Sequence, residues 1–311
     1  MYHRVLTDKE ISGSISQEGI VVNCETFEKH MSYIKNNFKI LSLSEFIEHF
    51  EKRIPFETKS CLVTFDDGWK DNFLNAYPIL KENRIPALIF LPTDFIGSFR
   101  CFWQEEMADL LAAARKRCWE DDGFSKKNKR LFDIEGFRDI IASDEKRLPQ
   151  KIAAFLGVQK KKNISEIERL IHSLKQALPA EAMQEKKEAV ILSWDEVKIM
   201  ARDGIDFGSH GKSHAILPAA SVREAEGEIT ESKNVLEKNL GQGIDAFSYP
   251  NGDYSEEVLD MVRKNGYQVA FGTDKGSVFI EDNPYKLKRM NIHEDMTKTV
   301  PMFLARVVDI W

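Results

Sequence analysis

The stretch Ser60-Cys61-Leu62-Val63-Thr64-Phe65-Asp66-Asp67-Gly68 is an apolar run that ends in two adjacent carboxylates and a glycine. It predicts a short buried strand, and the amphipathic pattern over residues 69–83 predicts a helix directly after it. In parallel α/β folds the carboxyl ends of the strands line the ligand cleft, so Asp66 and Asp67 are candidate functional residues. The alternative is an ordinary turn at Asp67-Gly68, with Asp66 capping the next helix.

The same alternation of apolar runs and helical patterns continues along the chain and is typical of a mostly parallel sheet or barrel. The predicted strands are 60–65, 87–91, 205–208, 246–249, 269–271 and 286–290, and the clearest helices are 69–83, 193–203, 221–240 and 255–265. The region from about 104 to 190 has helical periodicity without a convincing strand. We therefore predict one α/β domain over residues 1–311, a distorted (β/α) barrel of about seven strands with a helical insertion at about 104–190.

Composition and charge exclude several classes of protein. The chain is 42% hydrophobic and 30% charged, as in globular proteins, and its net charge of −6 argues against nucleic acid as the main partner. Its four cysteines are scattered without a CxxC pair, which argues against a zinc knuckle or a disulfide framework. A chain of this length buries a sufficient core without such supports, so any metal would serve chemistry.

Localisation is an expectation from what the sequence lacks. There is no apolar run of about 18 residues and no basic segment followed by an apolar stretch at the N-terminus, so we expect no integral membrane span. As written, the sequence predicts a cytoplasmic protein. If further residues precede Met1, we expect a peripheral or exported one.

Two of the seven histidines, His210 and His214, lie four positions apart directly after the predicted strand 205–208. Two imidazoles and a carboxylate form a three-ligand site that leaves one position open for water, which is typical of catalytic zinc. The alternative is a pair of surface histidines in a loop rich in glycine and serine.

A third motif, Tyr249-Pro250-Asn251-Gly252, interrupts the predicted strand 246–249. Such a turn can direct backbone N–H groups outward to stabilise an oxyanion, although Pro-Asn-Gly is also an ordinary turn. The chain lacks a Gly-x-Ser-x-Gly elbow, a phosphate-binding GxxxxGK[ST] loop and a GxGxxG sequence. Serine hydrolases, NTPases and dinucleotide enzymes therefore lose support, and metal-assisted hydrolysis remains.

Taken in order, these three motifs resemble those of the polysaccharide deacetylases of carbohydrate esterase family 4, the chitin-deacetylase-like group. The resemblance extends from Tyr2-His3 to about Arg289, with the 104–190 insertion outside it. It implies a divalent metal, in the first place zinc, and an N-acetylated saccharide as substrate. The ligands and the base that it implies are Asp67, His210 and His214 for the metal and Asp66 as general base.

The resemblance also implies how the remaining steps of amide hydrolysis are assisted. The oxyanion would be stabilised by the metal and by the backbone N–H of Asn251, within the turn that Pro250 and Tyr249 begin. Circularly permuted members have an N-terminal Tyr-His whose histidine is the general acid, and Tyr2-His3 matches it. We prefer His3 to His293, because residues 291–293 lack the Leu-x-His pattern of classical members.

The chain departs from the family's pattern in two further places. Ser248 stands where classical members have an arginine that orients the base, and we hypothesise that Arg289 replaces it, which requires a separation from Asp66 below about 6 Å. The late Asp-x-x-Asp-Trp motif is absent. Trp103 is a candidate platform for stacking a sugar, with a place in the core as the alternative.

The function expected is that of a metal-dependent hydrolase of linear amide bonds that removes N-acetyl groups from an N-acetylated sugar or polysaccharide. Two alternatives stay open at this point. One is a non-catalytic carbohydrate-binding or assembly protein on the same fold, although such a protein has no need of a second carboxylate beside a metal ligand. The other is a metal-dependent O-deacetylase or another amidohydrolase, because the same activated water can attack an ester.

Overall fold

The computed structural model describes residues 1–13, 18–57, 59–160, 162, 164–179 and 189–308. They divide into two compact units. The described residues of Met1–Ser12, Glu18–Arg100 and Ala189–Trp311 form the first, and those of Gly13–Gln17 and Cys101–Glu188 form the second.

The strands all lie in the first unit and the helices are shared between the two. The strands are β1 Arg4–Leu6, β2 Val21–Asn23, β3 Lys39–Ile40, β4 Ser60–Cys61, β5 Thr64–Phe65, β6 Ala87–Leu91, β7 Ile205–Ser209, β8 Ala246–Ser248 and β9 Val269–Phe271. The α-helices are α1 Asp8–Gly13, α2 Cys24–Asn37, α3 Leu43–Glu51, α4 Tyr77–Asn83, α5 Trp103–Glu120, α6 Phe124–Lys127, α7 Phe137–Ile141, α8 Leu148–Gln159, α9 Ile164–Ala177, α10 Trp194–Arg202, α11 Val222–Leu240, α12 Glu256–Lys264, α13 Glu294–Thr297 and α14 Val300–Val307.

The main sheet is a curled parallel sheet with the order β5-β6-β7-β8-β9. Strand β6 is entirely apolar: each residue of Ala87–Leu91 is at most 1% exposed, as expected for a strand covered on both faces. Because the strands are parallel and in register, their carboxyl ends meet at one edge. This edge receives the residues after β5, β7 and β8, which are the three motifs singled out in the sequence.

The prediction of a distorted α/β barrel is confirmed, but the prediction of about seven strands is wrong, since this sheet has five. The predicted strand 60–65 changes neighbours halfway: Ser60–Cys61 pairs with β3, whereas Thr64–Phe65 pairs with β6. The predicted strand 286–290 forms a single bridge, from Leu287 to Phe271. The 286–290 segment therefore pairs with its neighbour over too few residues to form a strand.

Backbone hydrogen bonds link the two edges of the five-stranded sheet. Tyr2 forms a parallel bridge to Phe65 on one edge, while Leu287 flanks the other. The Met1 nitrogen donates to the Met290 carbonyl at 2.8 Å, and Ile292 N–H donates to the Met1 carbonyl at 2.9 Å. The N-terminal segment therefore lies between β5 and the segment after β9.

Local sequence explains where the helices around the sheet begin. Helices α3, α10 and α11 each follow a serine whose side chain accepts from the N–H three residues on, while the glutamate there accepts from the serine N–H. The predicted helix 69–83 differs from expectation, because its first part, Asn72–Ala76, is a π-helical turn before α4. π-Helical turns are rare and frequent at functional sites, and this one follows Asp66-Asp67-Gly68 closely.

The second unit is helical over its described residues, which contain no strand between 101 and 179. Helices α5, α7, α8 and α9 bury a separate apolar cluster, and Trp103 at the start of α5 packs against it. That packing corresponds to the core alternative for Trp103. Residues 180–188 of the predicted insertion lie outside the described residues, and the prediction of one domain over 1–311 stays a prediction.

Candidate active site

The turn after β5 presents two buried carboxylates. Asp66 is 2% exposed and Asp67 is 9% exposed. Asp67 and Gly68 adopt left-handed backbone conformations, with φ of 75° and 64°. A Cβ at Gly68 would lie 2.6 Å from Leu91 Cδ2, so this position requires glycine. The left-handed Asp67 is a strained conformation of the kind that clusters at functional sites.

Asp67, His210 and His214 converge. Asp67 Oδ1 lies 3.5 Å from His210 Nε2 and 3.4 Å from His214 Nε2. One ligand atom of each residue lies within 4.8 Å of the others, which makes this trio a candidate metal site within the described part of the chain. The two imidazole rings meet edge to face, with centroids 4.8 Å apart.

The neighbours of these side chains make the donor set suitable for a metal ion. His210 Nδ1 lies 2.7 Å from the Ser248 carbonyl oxygen, which can only accept, so Nδ1 carries a hydrogen and Nε2 is the nitrogen available to an ion. Trp69 Nε1–H donates to Asp67 Oδ2 at 3.0 Å, which leaves Oδ1 towards the histidines. Two imidazole nitrogens and one carboxylate oxygen are a donor set that zinc accepts.

Glu228 of α11 holds the loop that contains both histidines. Its Oε2 accepts from the N–H groups of Lys212 and Ser213, both at 2.8 Å, and its Oε1 accepts from Ser213 Oγ at 2.6 Å. His214 at the end of this loop is left-handed, with φ of 59°. Glu228 was not among the site residues predicted from the sequence. A sequence pattern that could have indicated it is the position of this carboxylate on α11, next to the buried residues Ala225 and Ile229.

Asp66 is paired with Arg289, inside the separation that our hypothesis requires. The two guanidinium NH₂ groups donate to Asp66 Oδ1 at 2.8 Å and Oδ2 at 2.7 Å. Arg289 is itself fixed, since Nε donates to the Gly272 carbonyl and Nη2 to Ser248 Oγ, both at 2.8 Å. Ser248, which occupies the sequence position of the classical arginine, therefore contacts Arg289, and Arg289 supplies the positive charge. Asp66 does not cap a helix, which was the alternative reading of this aspartate.

The charges around the two aspartates keep both ionised. Burial acts to raise the pKa of Asp66, but Arg289, His210 and His3 together lower it to about 2. Burial likewise acts to raise the pKa of Asp67, yet its contacts with His210 and His214 hold it well below its ordinary value. One carboxylate therefore faces an arginine and the other faces two imidazoles, which separates their chemical roles.

The N-terminal segment brings His3 to the same edge. Tyr2 N–H donates to the Thr64 carbonyl at 2.8 Å, and Asp66 N–H donates to the Tyr2 carbonyl at 3.1 Å. In this register His3 lies beside Asp66, while the Tyr2 side chain packs on Phe65 in the core. Burial lowers the pKa of His3, whereas the charges of Asp67 and Asp66 act in the opposite direction.

His293 is placed differently. It precedes α13, and its Nδ1 lies 3.3 Å from Asp295 Oδ2. Within the residues that the structure describes, its side-chain partner is Asp295 and not a carboxylate of the candidate site. The geometry agrees better with His3 than with His293 as the acid, and this assignment stays a prediction.

The turn after β8 has one exposed member. Tyr249 is fully buried and its hydroxyl donates to the Tyr285 carbonyl at 2.8 Å, while Pro250 is also buried. Asn251 is exposed and left-handed, with φ of 60° and ψ of 0°. A Cβ at Gly252 would lie 2.0 Å from Thr273 Oγ1. The side chains of Tyr249 and Pro250 therefore support the turn, and only Asn251 presents itself to solvent.

The chain is similar to known proteins in sequence and in fold. The family model described as Polysaccharide deacetylase matches residues 53–120 and 151–270, so the chain belongs to the polysaccharide deacetylase family. The match corrects one expectation, because it enters the 104–190 region that we had left outside the resemblance. It passes over residues 121–150.

Two curated relatives are similar over most of the chain. The putative polysaccharide deacetylase YxkH of Bacillus subtilis is 22% identical over 87% of this chain and 65% of its own length. The poly-beta-1,6-N-acetyl-D-glucosamine N-deacetylase of Staphylococcus epidermidis is 27% identical over 70% of this chain and 73% of its own. This chain thus spans just under two thirds of the length of the Bacillus relative.

Solved structures share the fold. The Streptococcus pyogenes deacetylase PplD in complex with acetate has a TM-score of 0.62 at 19% identity, covering 98% of this chain and 95% of that one. IcaB from Ammonifex degensii has a TM-score of 0.61 at 17% identity, covering 98% and 94%. Among the described residues, no helix has the length and apolar character that crossing a bilayer requires.

Proposed function

We propose that this protein is a metal-dependent deacetylase that removes N-acetyl groups from an N-acetylated saccharide. The observation that carries the proposal is the pairing of a three-ligand site with a separate, arginine-bound carboxylate on the adjacent residue. A site that only holds a metal needs Asp67 and the two histidines. It does not need Asp66 ionised and buried beside them.

Asp67, His210 and His214 would hold the metal, with zinc as the first candidate because of the nitrogen-rich donor set. When bound, such an ion polarises a carbonyl oxygen and lowers the pKa of water at the site. The chain's own part is to fix the ligands: Ser248 sets the tautomer of His210, and Glu228 holds the loop of His214.

Asp66 would accept the proton of the attacking water. Arg289 keeps its carboxylate ionised and orients it through both oxygens. Asp66 Oδ2 also accepts from Ser248 Oγ at 3.3 Å, so Oδ1, which accepts from Arg289, is the oxygen with a second acceptor position for a water molecule. A base so strongly stabilised in its charged form relies on positioning rather than on a high pKa.

His3 would protonate the nitrogen that leaves as an amine. It lies beside Asp66 in the backbone register, and the charges of Asp66 and Asp67 partly offset the burial that lowers the pKa of this imidazole. The backbone N–H of Asn251 is the further donor that we assign to the oxyanion, because that residue is the exposed one in its turn.

For the substrate class, we propose a polymer of N-acetylglucosamine. The name of the Staphylococcus relative specifies poly-beta-1,6-N-acetyl-D-glucosamine, and the name of the Bacillus relative specifies a polysaccharide. At these identities the linkage can differ, so oligomers with β-1,6 and β-1,4 linkages are both substrates to test.

The experiment is acetate release from these oligomers by metal-free protein, by zinc-restored protein and by Asp66→Asn with zinc. We expect activity that needs zinc and falls by a factor of about 10² to 10⁴ in Asp66→Asn, as for loss of a general base. Asp260→Asn, on an exposed part of α12, is the matched control and should retain activity. Zinc binding without acetate release from either oligomer would contradict the N-deacetylase proposal. An acetylated ester panel would then separate an O-deacetylase from a binding protein.

A further inference from the structure

Trp69 contacts the metal-ligand candidate Asp67 through a hydrogen bond between buried groups. Its indole Nε1–H donates to Asp67 Oδ2 at 3.0 Å, and Trp69 is 2% exposed. The other oxygen of the same carboxylate, Oδ1, is the one that lies close to His210 and His214. One oxygen of Asp67 therefore accepts the indole N–H, and the other oxygen faces the two histidines.

The indole is itself held in place from two sides. The Arg4 guanidinium lies over the Trp69 ring, 4.4 Å from its centroid, and Arg4 Nε donates to Asp71 Oδ2 at 2.9 Å. On the backbone, Trp69 forms an antiparallel bridge with Ile191. A side chain fixed both by its backbone and by a stacked cation keeps its N–H directed at one point.

Such a donor has consequences for a carboxylate ligand. A free aspartate can rotate about its last bond and offer either oxygen, or both, to an ion. A hydrogen bond to one oxygen stops this rotation and reserves the other oxygen for the ion. In Asp67 the oxygen without the indole donor, Oδ1, lies within 3.5 Å of Nε2 of both His210 and His214, so it is the oxygen that this hydrogen bond reserves.

We infer that Trp69 is a positioning residue for the metal, which limits Asp67 to coordination through Oδ1, with Arg4 holding the indole for this task. The inference rests on the proposed function only in that the trio binds a metal. It predicts that the indole N–H, and not the bulk of the ring, determines part of the metal affinity.

The test is Trp69→Phe, which keeps an aromatic ring under Arg4 but removes the N–H. Zinc affinity is measured by competition with a chromophoric chelator, and thermal unfolding of the metal-free protein is measured beside it. We expect zinc affinity about 10- to 100-fold weaker, as for other groups that orient metal ligands. A role in packing alone would lower the unfolding temperature and leave the zinc affinity of the folded protein unchanged.

Trp119→Phe is the matched control, because it deletes the same kind of N–H, here one that donates to the Ile141 carbonyl in the second unit. Its zinc affinity should equal that of the wild type. A folded Trp69→Phe protein that binds zinc within about twofold of the wild type overturns the inference. Wild-type protein that binds no zinc overturns the metal part of the proposed function instead, so the two failures are distinct.

Should Trp69→Phe not fold, the wild-type protein answers the question. Its five tryptophans can be labelled with ¹⁵N in the indole, and the Trp69 signal assigned by replacing each of the other four with Phe. Addition of zinc is expected to shift the Trp69 indole N–H signal, since its acceptor becomes part of a metal ligand. An unchanged Trp69 signal at saturating zinc overturns the inference.

Discussion

Arg289 binds both carboxylate oxygens of Asp66 across 223 positions of the chain. Both residues are almost fully buried, at 5% and 2% exposure. A buried charge pair of this kind is costly to break from one side only, because the remaining charge has no partner. The pair therefore links the catalytic proposal to the stability of the barrel, since Arg289 follows β9 and Asp66 follows β5.

Arg289→Met is expected to lower the free energy of unfolding by about 3 to 5 kcal/mol, the usual cost of leaving a buried ion unpaired. Adding Asp66→Asn to this variant replaces the unpaired carboxylate with a neutral amide. The double variant should then be more stable than Arg289→Met alone. Urea unfolding of the wild type, both single variants and the double variant measures this cycle.

If the loss of unfolding free energy in the double variant equals the sum of the losses in the two single variants, this account of the pair is contradicted. In that case Arg289 would stabilise the fold through Gly272 and Ser248, its other partners, and not through Asp66.

Glu228→Ala is expected to weaken zinc binding about 10- to 100-fold, because it releases the two N–H groups and the hydroxyl that hold the histidine loop. Glu231→Ala is the control. Glu231 lies on the same helix and pairs with Lys212 from the same loop, but its contact is an exposed ion pair. The zinc affinities of both variants are measured by competition with a chelator. Equal zinc affinities of the two variants would show that the histidine loop needs no support from Glu228.

His30 is expected to make the stability of the fold depend on pH. Its ring is buried, with Nε2 at 2.7 Å from the Thr297 carbonyl, and it stacks on Phe303 with centroids 4.0 Å apart. Burial lowers the pKa of His30 from the ordinary 6.5, although Thr297 acts to raise it. The unfolded chain therefore takes up this proton at higher pH than the folded chain does.

It follows that the contribution of His30 to stability is complete above pH 6.5 and is lost as the pH falls from there through the folded pKa. His30→Gln keeps a polar group but does not titrate, so we expect a smaller loss of stability between pH 7 and pH 5. Urea midpoints of both proteins across this range are the measurement. Parallel curves for the two proteins would assign the pH dependence to other groups.

The sequence could predict the parts of the site that are local. Asp66-Asp67-Gly68 and His210 to His214 each follow an apolar strand, and parallel strands bring their carboxyl ends together whatever lies between. The ion pair between Asp66 and Arg289 could be suggested only from the family resemblance, because this chain lacks the arginine that classical members have at the position of Ser248. No local pattern reports the contacts of Trp69 and Glu228, since both depend on how far a turn or a helix stands from the strand ends.

The strand count shows the same limit. The strand predicted at 286–290 forms one bridge, at Leu287. Pairing over several residues depends on the curvature of the neighbouring strand, which the sequence pattern does not report. The second unit was predictable as helical, because its periodicity is local. The π-helical turn at Asn72–Ala76 was not, because its apolar pattern is also that of an α-helix.

His3 and His293 are distinguished by a pair of matched substitutions. His3→Gln is expected to lower kcat for acetate release about 10²- to 10⁴-fold, the usual contribution of a positioned general acid, while zinc affinity changes little. His293→Gln should leave kcat near the wild-type value, because that imidazole faces Asp295 at the start of α13. If His293→Gln instead loses the activity and His3→Gln keeps it, the acid must approach from the segment after β9. p-Nitrophenyl acetate offers a further check, because its p-nitrophenolate leaves without being protonated, and His3→Gln should cleave it almost as fast as the wild type does.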